Sequence, residues 1–154
     1  MLKSDEIFMK VALYEAKLAY FDNEIPVGAV IVKNGKVVSR SHNKKEKEKE
    51  PISHAEINAI RIATKKLGDW RLNDCIIYVT KEPCIMCAGA IIESRIKRVV
   101  FGFYDKDEGA FGGKINILNY VNAKIIVESG VLEKESFEIF KSFFDKIRRG
   151  GWVV

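Results

Sequence analysis

Three features of the sequence predict an α/β protein whose sheet carries helices on both faces. Segments with apolar residues every three or four positions alternate with short β-branched runs along most of the chain. Two of these runs flank Asn34-Gly35, the strongest short-range signal for an antiparallel hairpin, whereas the later runs are separated by helix-length segments and so pair in parallel. The length, 154 residues, is that of one domain able to bury a core without disulfides or a structural metal. The expected architecture is therefore a single domain over residues 1–154 with a central five-stranded mixed sheet.

Each element has its own signal. The first helix starts at Ser4-Asp5-Glu6, and Ile7, Val11, Tyr14 and Leu18 are expected to form its core-facing stripe. "IPVGAVIVKNGKVVSRS" gives the hairpin, with a tight type I′ turn at Asn34-Gly35. "KKEKEKE" is expected to be a solvated loop, since its mixed charges nearly cancel. A second helix should run from Ser53 to about Leu67, with Ile57, Ile60 and Leu67 on one side and Gly68 closing it. "CIIYVT" reads as a strand, and Pro83 as the opening of a helix containing "CIMCAGAIIES". There follow a strand "RVVFGF", a Gly-rich loop "DEGAFGG", a turn or short helix at "INILN", a strand "KIIVE" and a helix from Glu133 to Arg149.

Composition narrows the function classes. Against 21 acidic residues stand 26 Lys and Arg, a net charge of +5. That favours a polyanionic partner mildly, and a solvated basic surface accounts for it equally well. The stretch "MLKSDEIFMKVAL" carries Asp5 and Glu6 and lacks the pattern of a secretory signal. No run approaches 18 apolar residues, so a cytoplasmic protein with no membrane partner is expected. Three cysteines in a reducing compartment point to metal binding or catalysis for any close pair.

Two short stretches carry candidate chemistry. In "SHAEINAI", Ser53-x-x-Glu56 matches a capping box, which leaves the intervening His54 unexplained. "PCIMC" puts Cys84 and Cys87 three apart in the first turn of a helix, close enough to hold one ion. Alone, that pair fits a redox couple, half of a four-cysteine zinc site, or two core thiols. Cys75 has no CxxC partner, however, and nothing places this CxxC after the first strand of a βαβ unit. His54 is the histidine that begins a helix, so His54, Cys84 and Cys87 offer three ligands and leave the fourth position of a zinc ion to water. An open position marks a catalytic centre, and Glu56 stands ready to move protons if the site lies beyond the helix end. The rival reading is a structural zinc in a binding module, with His42 or Cys75 as fourth ligand.

The pattern H-x-E…P-C-x-x-C is the signature of zinc nucleobase deaminases. From about Ser4 to Arg149 the chain resembles the bacterial tRNA-specific adenosine deaminases, within the zinc-dependent cytidine/deoxycytidylate deaminase superfamily. The resemblance is most specific in "EIPVGAVIV", "SHAEINAI", "WRLNDCIIYVTKEPCIMCAGAIIESRIKRVVFG" and "GVLEKESFEIFKSFFDKIRR". It implies a cytidine-deaminase-like three-layer α/β/α fold, with one Zn2+ per subunit on His54, Cys84 and Cys87 and Glu56 as proton shuttle. The implied reaction is hydrolytic conversion of the wobble adenosine of a tRNA anticodon to inosine, by a cytoplasmic homodimer. Asn43 is implied to hydrogen-bond the target base, with Ala55 and Pro83 beside it at the helix starts. Asp105 and Asn122 are implied to meet the anticodon loop, and Arg148 and Arg149 the RNA backbone. Departures are Phe103 and Tyr104 after "VVFG", where the family usually has a small residue, and Ala123, where it commonly has His. A free guanine or cytosine deaminase of the same superfamily is the alternative.

Overall fold

The structure, a computed structural model describing residues 2–150, has one five-stranded sheet. In chain order its elements are α1 (Lys3–Phe21), β1 (Gly28–Lys33), β2 (Lys36–His42), α2 (Lys45–Glu48), α3 (Ala55–Leu67) and β3 (Cys75–Lys81). They continue as α4 (Ile85–Glu93), β4 (Arg98–Phe103), a 3-10 turn (Ile117–Asn119), β5 (Ile126–Ser129) and α5 (Glu133–Arg148). The strand order is β2-β1-β3-β4-β5. β1 runs antiparallel to both β2 and β3, and β3, β4 and β5 are parallel. Asn34 and Gly35 both have positive φ, 50° and 74°, as a type I′ turn requires.

Side chains alternate across the sheet. Ala29, Ile31, Ile77, Val79, Val99 and Phe101 pack on one face with Ala55, Ala59 and Ala63 of α3 and Ala88 and Ile91 of α4. Val30, Val32, Tyr78 and Val100 pack on the other with Met9 and Ala12 of α1, and α5 lies beside α1 on that side. The result is the three-layer α/β/α arrangement. Its topology brings the C-terminal ends of β2, β3 and β4 to one edge, together with the starts of α3 and α4.

Four local expectations are corrected. α1 turns Asp5, Met9, Ala12, Ala16 and Ala19 inward, while Ile7 and Tyr14 stay 61% and 53% exposed. The sheet lies too close for larger residues: a Cβ on Gly28 would stand 1.8 Å from the Ala12 carbonyl oxygen. α3 repeats the device, burying alanines and leaving Leu67 exposed. "KKEKEKE" contains the single turn α2, because the buried Glu24 carboxylate accepts from the Glu46 and Lys47 amides at 2.9 and 2.7 Å. Pro83 precedes α4 rather than opening it, Cys84 being the N-cap.

A buried ionic cluster fixes α1 to the sheet. The Asp5 carboxylate accepts two bonds from the Arg98 guanidinium, both at 2.8 Å, and others from the Tyr78 hydroxyl at 2.8 Å and the Leu2 amide at 2.9 Å. Arg98 continues to Glu128 of β5 at 2.6 Å. The cluster thereby ties α1 to three parallel strands. The guanidinium holds the Asp5 carboxyl well below the usual carboxylate range.

Replacing Asp5 by Ala leaves Arg98 largely buried without its main partner, and urea unfolding at pH 7 should report a loss of about 3–5 kcal/mol. Because the folded-state pKa is the lower one, this contribution is complete above the unfolded pKa of 3.8 and fades as pH falls below it. The gap between wild type and Asp5→Asn should accordingly narrow in unfolding curves taken below that pH.

Candidate active site

His54 and Cys84 are each the N-cap of a helix, α3 and α4, with extended backbone at ψ 156° and 175°. Cys87 follows on the first turn of α4, fully buried. The Nδ1 atom of His54 lies 3.6 Å from Cys84 Sγ and 3.5 Å from Cys87 Sγ. Bonds of about 2.3 Å to sulfur and 2.0 Å to nitrogen in tetrahedral geometry put such ligands about 3.5 Å apart, so the donor set fits zinc in type and spacing. Among the described residues this is the one group of its kind within 4.8 Å. His42 is bonded to Glu15 at 3.0 Å, and Cys75 stands at the opposite end of β3. Neither reaches the group as a fourth ligand.

Ser53 does not cap α3. Its hydroxyl donates to Glu48 at 2.7 Å and lies beside Asn58, one residue too early to satisfy the helix amides. Glu56, freed of a capping role, is buried against the ligand group and lines the same cavity. Burial pushes its carboxyl up, and the neighbouring Cys84 adds to the rise. A hydrogen bond from Cys87 brings Cys84 down to about 4, whereas that same bond and burial push Cys87 up. A metal here would take both sulfurs as thiolates. His54 is raised mainly by its bond to Cys84.

The cavity beside them measures about 270 Å³, slightly below the roughly 300–1,000 Å³ of drug-sized sites. Ile25 and Val27 form apolar wall, and Ala55, Asn43, Lys45 and Lys81 complete much of the rest. The Asn43 side chain is held at both ends: its oxygen accepts from the Lys45 amide at 3.1 Å and its nitrogen donates to the Ile25 carbonyl at 3.2 Å. One N–H and one lone pair remain for a ligand.

Glu82 is the residue that sequence reasoning passed over. Its buried carboxylate accepts from the amides of Asp105, Phe111 and Gly113 at 2.8, 2.8 and 2.9 Å. The loop 105–113 wraps it so closely that a Cβ on Gly109 or Gly113 would approach it to 2.1 or 2.2 Å. The Ala110 amide also donates to the Pro83 carbonyl at 3.0 Å, so the loop is fastened to the residues just before Cys84. The glycines of "DEGAFGG" were the available signal of that approach.

The other expected site residues fall in three places. Asp105 does not line the cavity itself but pairs at 2.8 Å with Lys81, which does. Arg148 and Arg149 are exposed at the end of α5, whose Phe144 and Ile147 share a depression with Asn43 and Lys45; Arg148 pairs with Asp145. Asn122 is not brought to the cavity within this chain, but sits with Arg95 and Lys97 at the opposite edge, where β4 and β5 begin.

An α/β/α sheet presenting an imidazole, two thiols and a buried carboxylate to one base-sized cavity has the make-up of a nucleobase deaminase. The chain belongs to the MafB19-like deaminase family, whose model matches residues 3–148. It is 45% identical over 150 residues to the tRNA-specific adenosine deaminase of Bacillus subtilis (strain 168), covering 96% of this chain and 93% of that protein. The enzyme of the same name from Aquifex aeolicus (strain VF5) is also 45% identical, over 93% of this chain and 95% of its own. A structure from work on A-to-I editing by tRNA:A34 deaminases at the wobble position of transfer RNA superposes with a TM-score of 0.81. It shares 40% identity and covers 86% of this chain and 98% of its own.

In Glu82→Gln an N–H replaces one of the accepting oxygens and faces backbone donors. Hydrogen exchange at Asp105, Phe111 and Gly113 should then accelerate about tenfold or more; unaltered protection at all three would show that the loop holds itself.

Proposed function

We propose that this protein hydrolytically deaminates adenosine to inosine at the wobble position of tRNA anticodons, using one zinc ion on His54, Cys84 and Cys87. The observation that carries this reading is the 3.5 and 3.6 Å approach of both sulfurs to His54 Nδ1, next to buried Glu56 in a base-sized cavity. The match to enzymes named for that substrate, over nearly their whole length, supports the choice of adenosine in tRNA.

A zinc ion in this group supplies Lewis acidity that lowers the pKa of water to roughly 7. The chain's own residues do the rest. As the oxygen of water attacks C6, Glu56 takes its proton and delivers it to the adenine ring nitrogen; it then passes a second proton, from the new C6 hydroxyl, to the amino group, and the C6–N bond breaks to release ammonia. Its raised pKa suits a group that must both accept and release. Asn43 offers its remaining donor and acceptor to the base edge, while Ile25 and Val27 keep bulk water off the ring. Ala55 and Pro83 flank the seat at the two helix starts. A loop base is already unpaired, so most of the unstacking cost of extracting it from a duplex is absent.

Lys45, Lys81, Arg148 and Arg149 furnish positive charge around the opening for phosphates, and Asp105 orders the rim. Asn122 could meet RNA bound at this cavity only by serving a neighbouring subunit, which agrees with the homodimer the family resemblance implies. Ile62 and Ile85, left exposed on α3 and α4, are available for such an interface. No helix among the described residues is long and apolar enough to cross a membrane, and we place the enzyme in the cytoplasm, where tRNA is its partner.

Zinc-loaded protein incubated with an anticodon hairpin carrying A at the wobble position should yield inosine by mass, and none when that base is C or G. Deamination of free guanine or cytosine with an untouched hairpin would replace this reading. Glu56→Ala should lose about 10²–10⁴-fold in kcat while binding zinc normally; Cys84→Ala should lose the metal as well, by elemental analysis.

A further inference from the structure

A second depression opens on the far side of Lys81 from the ligand group. Its floor is aromatic, built from Phe103 at the end of β4, the adjacent Tyr104, and Phe137 of α5. Lys106, Lys134 and Glu133 stand around it, and the space encloses about 570 Å³. Tyr104 and Phe137 are 51% and 47% exposed, yet packing fixes both rings. Tyr104 meets Phe101 edge-on with centroids 5.0 Å apart, and Phe137 meets Phe103 likewise at 5.4 Å. Each therefore offers π surface already held in place, so little ordering entropy would be lost when a ligand stacks on it. Neither Lys106 nor Lys134 has an ion-pair partner among the described residues.

A chain of side-chain contacts joins the wall of the groove to the wall of the cavity. Lys81 lines the cavity, and its ammonium sits 5.1 Å from the centre of the Phe140 ring. Phe140 in turn packs on Phe103, the groove floor, at 5.5 Å. Tyr104 directly precedes Asp105, the carboxylate that pairs with Lys81.

We propose that this groove seats a nucleotide adjoining the edited adenosine, its base stacked on Tyr104 and Phe137 and its phosphate held by Lys106 and Lys134. The inference rests on the RNA reading of the cavity. Single-stranded RNA is the occupant whose chemistry matches every feature: flat aromatic faces for a base, two unpaired cations for a phosphate, and a neighbouring cavity of a size to take a base. An apolar peptide would use the rings and leave both lysines without a role. Glu133 restricts the anion to the lysine side of the groove.

Anisotropy of a labelled anticodon hairpin, titrated with zinc-loaded protein, reads the groove directly. The double variant Tyr104→Leu/Phe137→Leu keeps apolar bulk without flat faces, and should raise Kd about tenfold, the worth of one base stack, at unchanged zinc content. Wild type should bind a hairpin abasic at the seated neighbour equally weakly, and the variant should bind that hairpin no worse. Lys106→Ala with Lys134→Ala should lower the slope of log Kd against log salt by about 0.7, the increment for one neutralised phosphate on a single strand. Unchanged Kd in both double variants overturns the groove, even where wild type makes inosine normally. Groove-dependent binding without inosine would instead sink the catalytic reading and leave the groove standing, and wild type that binds no RNA overturns both.

Discussion

The structure depends on two helix starts facing one another. His54 and Cys84 are both N-caps, and the free amides of α3 and α4 converge where the three ligand atoms meet. Helix N-termini favour anionic sulfur, since their unpaired N–H groups and partial positive charge stabilise thiolate over thiol. The same ends favour negative charge developing on a bound ligand. Neither effect would serve if the helices began at different edges of the sheet. Strand direction prevents that: β2 and β3 both run antiparallel to β1, so the exits toward α3 and α4 lie at one edge.

Holding that edge in register calls for close packing more than for bulk. Alanines at 12, 16 and 19 let α1 rest almost backbone to backbone on Gly28, and alanines at 55, 59 and 63 do the same for α3 on the opposite face. The position of His54 is thus set by a row of methyl groups directly behind it, with no long side chain to flex between helix and sheet. On the other face the Asp5–Arg98–Glu128 chain supplies what small side chains cannot, a directional tie across β4 and β5. Dense apolar contact fixes spacing, and the ionic cluster fixes orientation.

How legible this was from sequence follows from the range of each interaction. The hairpin, the zinc-type triad and the alternation of strands and helices were readable because each is a local pattern or a pair of fixed spacings. The inward face of α1 was not, because periodicity rewards large apolar residues while the sheet selected small ones, leaving Ile7 and Tyr14 outside. Ser53 misled for a related reason: a capping box is a statement about four residues, and the nearby Glu48 and Asn58 claimed the hydroxyl first. Glu82 lay hidden because its three partners are backbone amides 23 to 31 positions away, and backbone leaves no mark on composition. Asn122 shows the reverse: likeness of sequence assigned it to the substrate side, and the fold puts it with Arg95 and Lys97 at the opposite edge of the sheet.

Two buried carboxylates border the same cavity, and geometry alone separates their tasks. Glu82 has its oxygens engaged by three N–H donors from one loop, so its task is to hold that loop. Glu56 receives no donor from that loop, is desolvated, and lies against Cys84 and Cys87. That setting suits the proton transfer proposed for it. The loop anchored by Glu82 carries Asp105, which pairs with Lys81 of the cavity wall, and follows directly on Tyr104 in the neighbouring groove. Rigidity and reactivity are assigned to different acids within one pocket, and each is fit for its part because of what the other leaves undone.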